Sequence, residues 1–258
     1  MVVYAGQGDP QRTLALLWRA SSAGPARPAR GPKPALTVDA ILNAAIAVAD
    51  ESGLDGLSMR AVGERLGHTA MSLYTYVPTK RELIDLMYDQ AHAGLARTEP
   101  SGGWRAETEA WADDLQACYL RHPWLLQVSH ARPVLGPHEQ AVLERVLRVL
   151  GPAELPSATV RAVVSSLFSL VRGSAQSIAE ARSAAGSTGT PDQEWWSLRS
   201  RLMREIVPDF AERFPHSTLL AAQPPPDGAD QWERMARDAF TGGLAILLDG
   251  LERHSTSG

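Results

Sequence analysis

The chain has 258 residues, 44% of them hydrophobic and 21% charged, with a formal net charge of −4 and one cysteine. That length supports a small domain joined to a larger one; no run of about 18 apolar residues marks a membrane helix, and Cys118 alone makes neither an internal disulfide nor a thiolate cluster. The first twelve residues lack the basic cap and apolar stretch of a signal peptide, so the expectation is a soluble protein of the reducing cytoplasm with no membrane partner.

In chain order, residues 1–81 carry nine Lys/Arg against six Asp/Glu, and the remainder carries 16 against 23. A basic front on an acidic body places a nucleic-acid partner at one end. A short amphipathic piece, Thr13 to Trp18, precedes a Pro-, Ala- and Arg-rich stretch from Ser21 to Pro34 that has little to bury. Arg27, Arg30 and Lys33 stand there without an acid between them. They fit a solvated tail, and equally an arm along phosphates or in a minor groove.

From Thr37 the pattern is helical. Val38, Ile41, Leu42, Ala45, Ile46 and Ala49 share one face, with Thr37 placed to cap the helix and Gly53 to stop it. Ser58 caps a second, short helix that staples Leu57 onto Val62 and ends at Gly67. A third runs from Thr69 to Val77, closed by Pro78. The fourth opens on a capping box, Thr79-Lys80-Arg81-Glu82, and continues through Leu83, Ile84, Leu86, Met87, Ala91 and Leu95. Four helices in about 60 residues, with a tight turn at Gly67, make a helix-turn-helix inside a small bundle. Further helices are read at Trp104–Arg121, after Pro123, and at Pro137–Leu150, Ser157–Arg182, 191–210 and 230–253. Polar breaks at Ser183–Pro191 and Gln223–Asp230 tether the helix between them, and strand-like alternation is absent. The fold class is all-α.

The chemistry concentrates between Gly67 and Lys80. Leu73 and Val77 face the bundle, which leaves Ala70, Met71, Ser72, Tyr74, Thr75 and Tyr76 outward with no acid to repel phosphate. Small and hydroxyl side chains on a short helix suit a major groove about 12 Å wide, where they touch base edges and thymine methyls. Lys80 falls at the first position of a capped helix, where the macrodipole disfavours a cation by a few tenths to ~1 kcal/mol. A local rule broken there points to function: the ammonium and the helix N-terminus grip one phosphate. Arg60 reaches a guanine or a phosphate, or else forms a surface ion pair.

These residues resemble the DNA-binding domain of the TetR family of bacterial regulators, above all in the stretch LSMRAVGERLGHTAMSLYTYVPTKRELIDLM. Gly67, the Leu73-Tyr74-x-Tyr76-Val77 core, Lys80 and Leu83 carry the likeness. By position, it implies that Ala70, Met71, Ser72 and Tyr74 face bases and Arg60 reads a base edge. Thr69, Thr75, Tyr76 and Lys80 would hold phosphates, with Tyr76 standing where the family often has histidine. The C-terminal half resembles the tetracycline-repressor subgroup in the order and length of its helices and in the RHPWL stretch from Arg121 to Leu125. The domains implied are a basic, partly flexible extension over 1–36, a helix-turn-helix three-helix domain over 37–83 and a helical ligand-binding and dimerisation domain over 84–258.

The function implied is a DNA-binding transcription regulator, a repressor released from its double-stranded operator by a small-molecule effector; an activator or ligand-independent regulator would use the same DNA domain. Effector candidates are Trp111, Trp124, His130, Phe168 and Trp195, with Trp196 beside it, although large aromatics at helical spacing also make cores. For a homodimer, the stripes Val160, Val163, Val164, Leu167, Phe168, Val171, Ile178 and Phe240, Leu244, Leu247, Leu248, Leu251 form either a four-helix interface or intrachain core. His122, His130 and His138, eight apart across prolines, are a poor metal pattern, and no cofactor is expected. Nucleophile–base pairs and phosphate-cradling glycine loops are absent from the sequence, so an enzyme is not expected.

Overall fold

The computed structural model describes residues 3–19, 36–95, 102–151, 155–221 and 231–255, and it divides into two compact units, one running to Phe168 and one from Ser169. Among the described residues there are twelve α-helices, and no helix is long and apolar enough to cross a membrane.

The first unit contains a strand pair that the all-helical reading missed. Strand β1 (Val3–Tyr4) pairs in parallel with β2 (Val128–Ser129), Val3 opposite Val128. Two residues per strand are too few to show alternation, so the sequence carries no signal for it. Helix α1 (Pro10–Leu17) follows, with Pro10 in its first turn and the Asp9 carboxylate accepting from the Arg12 N–H at 2.8 Å. The basic stretch from Ser21 to Pro34 lies outside the described residues.

Helix α2 (Val38–Gly56) is capped by Thr37, whose hydroxyl accepts from the Ala40 N–H at 3.1 Å. Ile41, Leu42, Ala45 and Ala49 of the predicted stripe are buried, joined by Ala44 and Val48. Gly53 takes φ +67°, the left-handed conformation that spares glycine a Cβ clash, and one irregular turn carries the helix on to Gly56. Helices α3 (Met59–Leu66) and α4 (Ala70–Tyr74) complete the head. Helix α5 (Lys80–Ala91) is the spine of the unit and buries every residue from Glu82 to Asp89. Helix α7 (Pro137–Leu150) packs on it, and α6 (Trp104–Arg121) packs on α7 and on a 3-10 turn over Pro123–Gln127 that also meets α2.

Helix α8 (Ser157–Thr188) contains the boundary between the units. It outruns its predicted end at Arg182, because Ser183 to Thr188 propagate the helix and the Thr188 hydroxyl folds back onto the Ala184 carbonyl at 2.8 Å. The break shrinks to Gly189, at φ +70°, with Thr190 and Pro191. Helices α9 (Asp192–Ile206), α10 (Phe210–Arg213) and α11 (Pro215–Ala221) follow, the last two unforeseen. Helix α12 (Gln231–Ser255) returns antiparallel to α8, with Arg182 on Glu233 at 2.8 Å and Gly243 beside Leu170. Part of each stripe proposed for dimerisation is already covered within the chain. Val164, Leu167, Val171 and Ile178 of α8, and Phe240, Leu244, Leu248 and Leu251 of α12, are buried within the single chain. Val160, Val163, Phe168 and Leu247 of the same stripes are only half-buried.

Candidate nucleic-acid interface

The turn between α3 and α4 is built for close approach. Ser58 caps α3, accepting from the Ala61 N–H at 3.1 Å, and Gly67 closes it at φ +70°. The His68 N–H reaches the Gly63 carbonyl at 2.9 Å. A Cβ on Gly63 would stand 2.6 Å from the His68 carbonyl oxygen, so any larger residue would push the two short helices apart. Thr69 caps α4 and shares a 2.9 Å hydrogen bond with the Ser72 hydroxyl. Leu73 and Val77 are fully buried and anchor α4.

What remains outward is the predicted face. Met71 is 75% exposed and Tyr74 41%, Thr69 and Thr75 are exposed, and Ala70, Ser72 and Tyr76 are half-buried. From Leu66 to Arg81 there is no Asp or Glu. An exposed methionine on a short helix otherwise lined with hydroxyl and small residues has no intrachain packing reason, and it matches apolar contact with a thymine methyl. Arg60, on the exposed end of α3, pairs with Glu64 one turn on at 2.8 Å, so the surface ion pair exists in the free protein. The exposed Lys80 donates to the Leu54 carbonyl at 3.2 Å, and its ammonium keeps two further N–H donors.

Two family profiles match the chain: "Bacterial regulatory proteins, tetR family" over residues 41–87, and "Tetracyclin repressor-like, C-terminal domain" over residues 96–255. The chain belongs to the TetR family. The HTH-type transcriptional repressor DrrR1 of Streptomyces coeruleorubidus is 40% identical over 250 residues, covering 96% of this chain and 87% of that one. An HTH-type transcriptional regulator of Saccharopolyspora erythraea is 35% identical over 222 residues, 85% and 86% of the two chains. Apo ActR from Streptomyces coelicolor shares the fold with a TM-score of 0.65 at 23% identity, over 88% of this chain and 99% of its own. ActR in complex with actinorhodin aligns with a TM-score of 0.67 at 25% identity, over 86% and 99%. This TetR-family chain is a DNA-binding transcription regulator.

The effector candidates do not form one cluster. Trp111 and Phe168 meet edge to face, centroids 5.0 Å apart, and the Trp111 indole donates to the Val142 carbonyl at 3.0 Å. Trp124 is buried elsewhere, donating to Asp50 of α2 at 2.9 Å, and His122 Nδ1 meets the same carboxylate at 2.8 Å. The RHPWL stretch therefore docks the second part of the first unit onto its DNA-binding head. His130 is exposed. Trp195 and Trp196 belong to the second unit, both exposed; Trp196 stacks on Trp232 at 4.6 Å and Arg199 lies 4.9 Å above Trp195.

Sequence reasoning missed the acidic row of α5. Glu82, Asp85 and Asp89 recur at i, i+3 and i+7, and all three are buried. That spacing was the available signal: acids on a face expected to be apolar. Burial pushes Asp85 up to about 6 and raises Asp89 and, on α7, Glu139. Asp89 caps α7 from outside, accepting from the His138 and Glu139 N–H groups at 2.9 Å each. A Cβ on Gly136 would fall 2.2 Å from that carboxylate, so glycine is required there. His92 is pushed down to about 4 and the Cys118 thiol up to about 12, both by burial, which leaves each neutral and unreactive.

Proposed function

We propose that this regulator is a repressor that binds a double-stranded operator as a homodimer and is released by a small, largely apolar effector held in its C-terminal domain. The observation that carries the DNA half is the acid-free outward face of α4, with Met71 at its centre and Lys80 next to it. Met71, Ser72, Tyr74 and Ala70 read bases; Thr69, Thr75, Tyr76 and Lys80 hold phosphates, and Arg60 leaves Glu64 for a base edge or phosphate. Support for repression and for an effector comes from relatives: one is described as a repressor, and ActR was solved with actinorhodin bound. Among the effector candidates of the first unit, Trp111 and Phe168 are adjacent, and Trp124 serves the junction with α2. The reading is that of a binding protein, not an enzyme.

Helix α5 links the two activities. Its first residue is Lys80, and near its end Asp89 holds the N-terminus of α7. An effector that displaces α6 or α7 moves α5, and with it the recognition helix. Two recognition helices must stand about 34–36 Å apart to enter successive major grooves, so a shift of a few ångströms releases the operator.

The test is anisotropy titration of DNA upstream of the protein's own gene at several salt concentrations. The expected result is tight binding with a steep negative salt slope. Lys80→Ala weakens binding on all sequences and lowers the slope by about one, whereas Tyr74→Ala or Met71→Ala changes site preference. A slope near zero, or indifference to all three substitutions, overturns the proposal.

A further inference from the structure

The capping box written at the start of α5 closes on one side only. The Glu82 N–H donates to the Thr79 hydroxyl at 3.2 Å, as the sequence predicts. The Glu82 carboxylate does not return the bond to Thr79; it turns away to Arg12, accepting from Nε at 2.7 Å and from a terminal guanidinium nitrogen at 2.6 Å. The carboxylate is fully buried, and Arg12 is half-exposed. One helix turn on, Asp85 accepts the Gly6 N–H at 3.0 Å. The chain at Gly8 lies so close that a Cβ there would sit 2.6 Å from Glu82 Cγ.

The same short segment is fastened at other points. β1 pairs with β2, the Trp18 indole donates to the Leu135 carbonyl at 3.0 Å, and Arg19 pairs with Asp39 in the first turn of α2. Ala5, Thr13 and Leu17 are buried. Residues 3–19 thus bind α5, α2, β2 and the approach to α7 together. Against α5 the seam is imperfect: Thr13 Oγ1, Glu82 Oε2 and Asp85 Oδ2 are buried without a hydrogen-bond partner. A contact that is extensive yet under-satisfied can open at modest cost.

We propose that residues 3–19 are a brace that fixes the first turn of α5, and so Lys80 and the recognition helix, in the DNA-gripping geometry, with Arg12 a positioning residue that does not touch DNA. The proposal rests on the operator-binding reading above. Its two states differ at Glu82. With the brace on, the carboxylate holds Arg12; with it off, the carboxylate closes the capping box on the Thr79 N–H, so the unbraced helix start is a defined alternative.

The test compares full-length wild type, Arg12→Met, Arg12→Lys and Lys80→Ala on the operator duplex, with active fraction from stoichiometric titration. Arg12→Met raises Kd about five- to tenfold with active fraction and salt slope unchanged, while Arg12→Lys stays within about twofold of wild type. Lys80→Ala loses about one unit of slope. Hydrogen exchange reports the switch independently of DNA: in Arg12→Met the Thr79 N–H gains protection and Gly6 loses it. Wild-type affinity in Arg12→Met, a slope loss like that of Lys80→Ala, or unchanged Thr79 exchange overturns the brace while the operator reading stands. Failure of the wild type to bind any duplex sinks the operator reading, and the exchange result then decides the brace.

Discussion

Helix α5 keeps every residue from Glu82 to Asp89 out of solvent, three carboxylates among them, whereas α9 buries none of its 15 residues. Both helices carry apolar side chains at helical spacing. On α5, Leu83, Ile84, Leu86 and Met87 are covered by neighbours in the first unit; on α9, Trp195, Trp196, Leu198, Leu202, Met203 and Ile206 stay exposed. The difference lies in what the rest of the chain brings to each helix, and even charge yields to it. An amphipathic pattern specifies that a face wants covering and leaves open what covers it.

The contrast breaks most visibly at a core leucine. Leu83 is fully buried, and Leu83→Ala removes its packing and leaves a cavity. A loss of about 2–5 kcal/mol is expected by urea titration with an unchanged m value. A loss below 1 kcal/mol would show α5 to be far more loosely held than its burial indicates.

The acidic row gives a smaller effect. Asp89→Ala orphans the His138 and Glu139 N–H groups at the start of α7, for a cost of about 1–2 kcal/mol. Asp89→Asn keeps an acceptor and recovers part of it. Equal losses in the two variants would show that charge, not capping, holds α7.

Asp85 adds a pH signature. Burial places its titration at about 6, against about 3.9 in an unfolded chain. The native state therefore binds this proton more tightly. The associated stability is fully present below about pH 4 and is lost as pH rises through about 6, by an amount on the order of 3 kcal/mol at most. The groups facing Asp85 are Glu82 on its own helix, Glu139 from α7 and the Gly6 N–H. Asp85→Asn is expected to flatten the stability curve between about pH 4 and 6 relative to wild type. Parallel curves would place the titration elsewhere.

How far these features were legible in the sequence follows the range of the interaction that makes them. Thr37, Ser58 and Thr79 cap their helices as read, because a cap is settled within four residues; Thr69, read as the first residue of its helix, proves to be the cap. Leu73 and Val77 are anchors as read, since the turn at Gly67 leaves one way to close the head. The partners of Glu82 and Asp50 were illegible. Arg12 is 70 residues from Glu82, and Trp124 is 74 from Asp50. The destination of the α8 and α12 stripes was ambiguous for the same reason: intrachain and interchain burial are written with identical residues.

The smallest effect is expected on α9. Leu202 is 39% exposed, so Leu202→Ala removes little packing within the chain. Unfolding of the dilute protein should shift by no more than about 0.5 kcal/mol, against the several expected for the same substitution at Leu83. The comparison becomes informative when the titration is repeated at rising protein concentration. If α9 is solvent-facing in solution as it is within one chain, the wild-type and variant curves stay together at every concentration. If the cost of Leu202→Ala grows with concentration, another copy covers this helix, since mass action adds stability only to the form that binds. In that case α9 differs less from α5, because it too would have a partner, supplied from outside the chain.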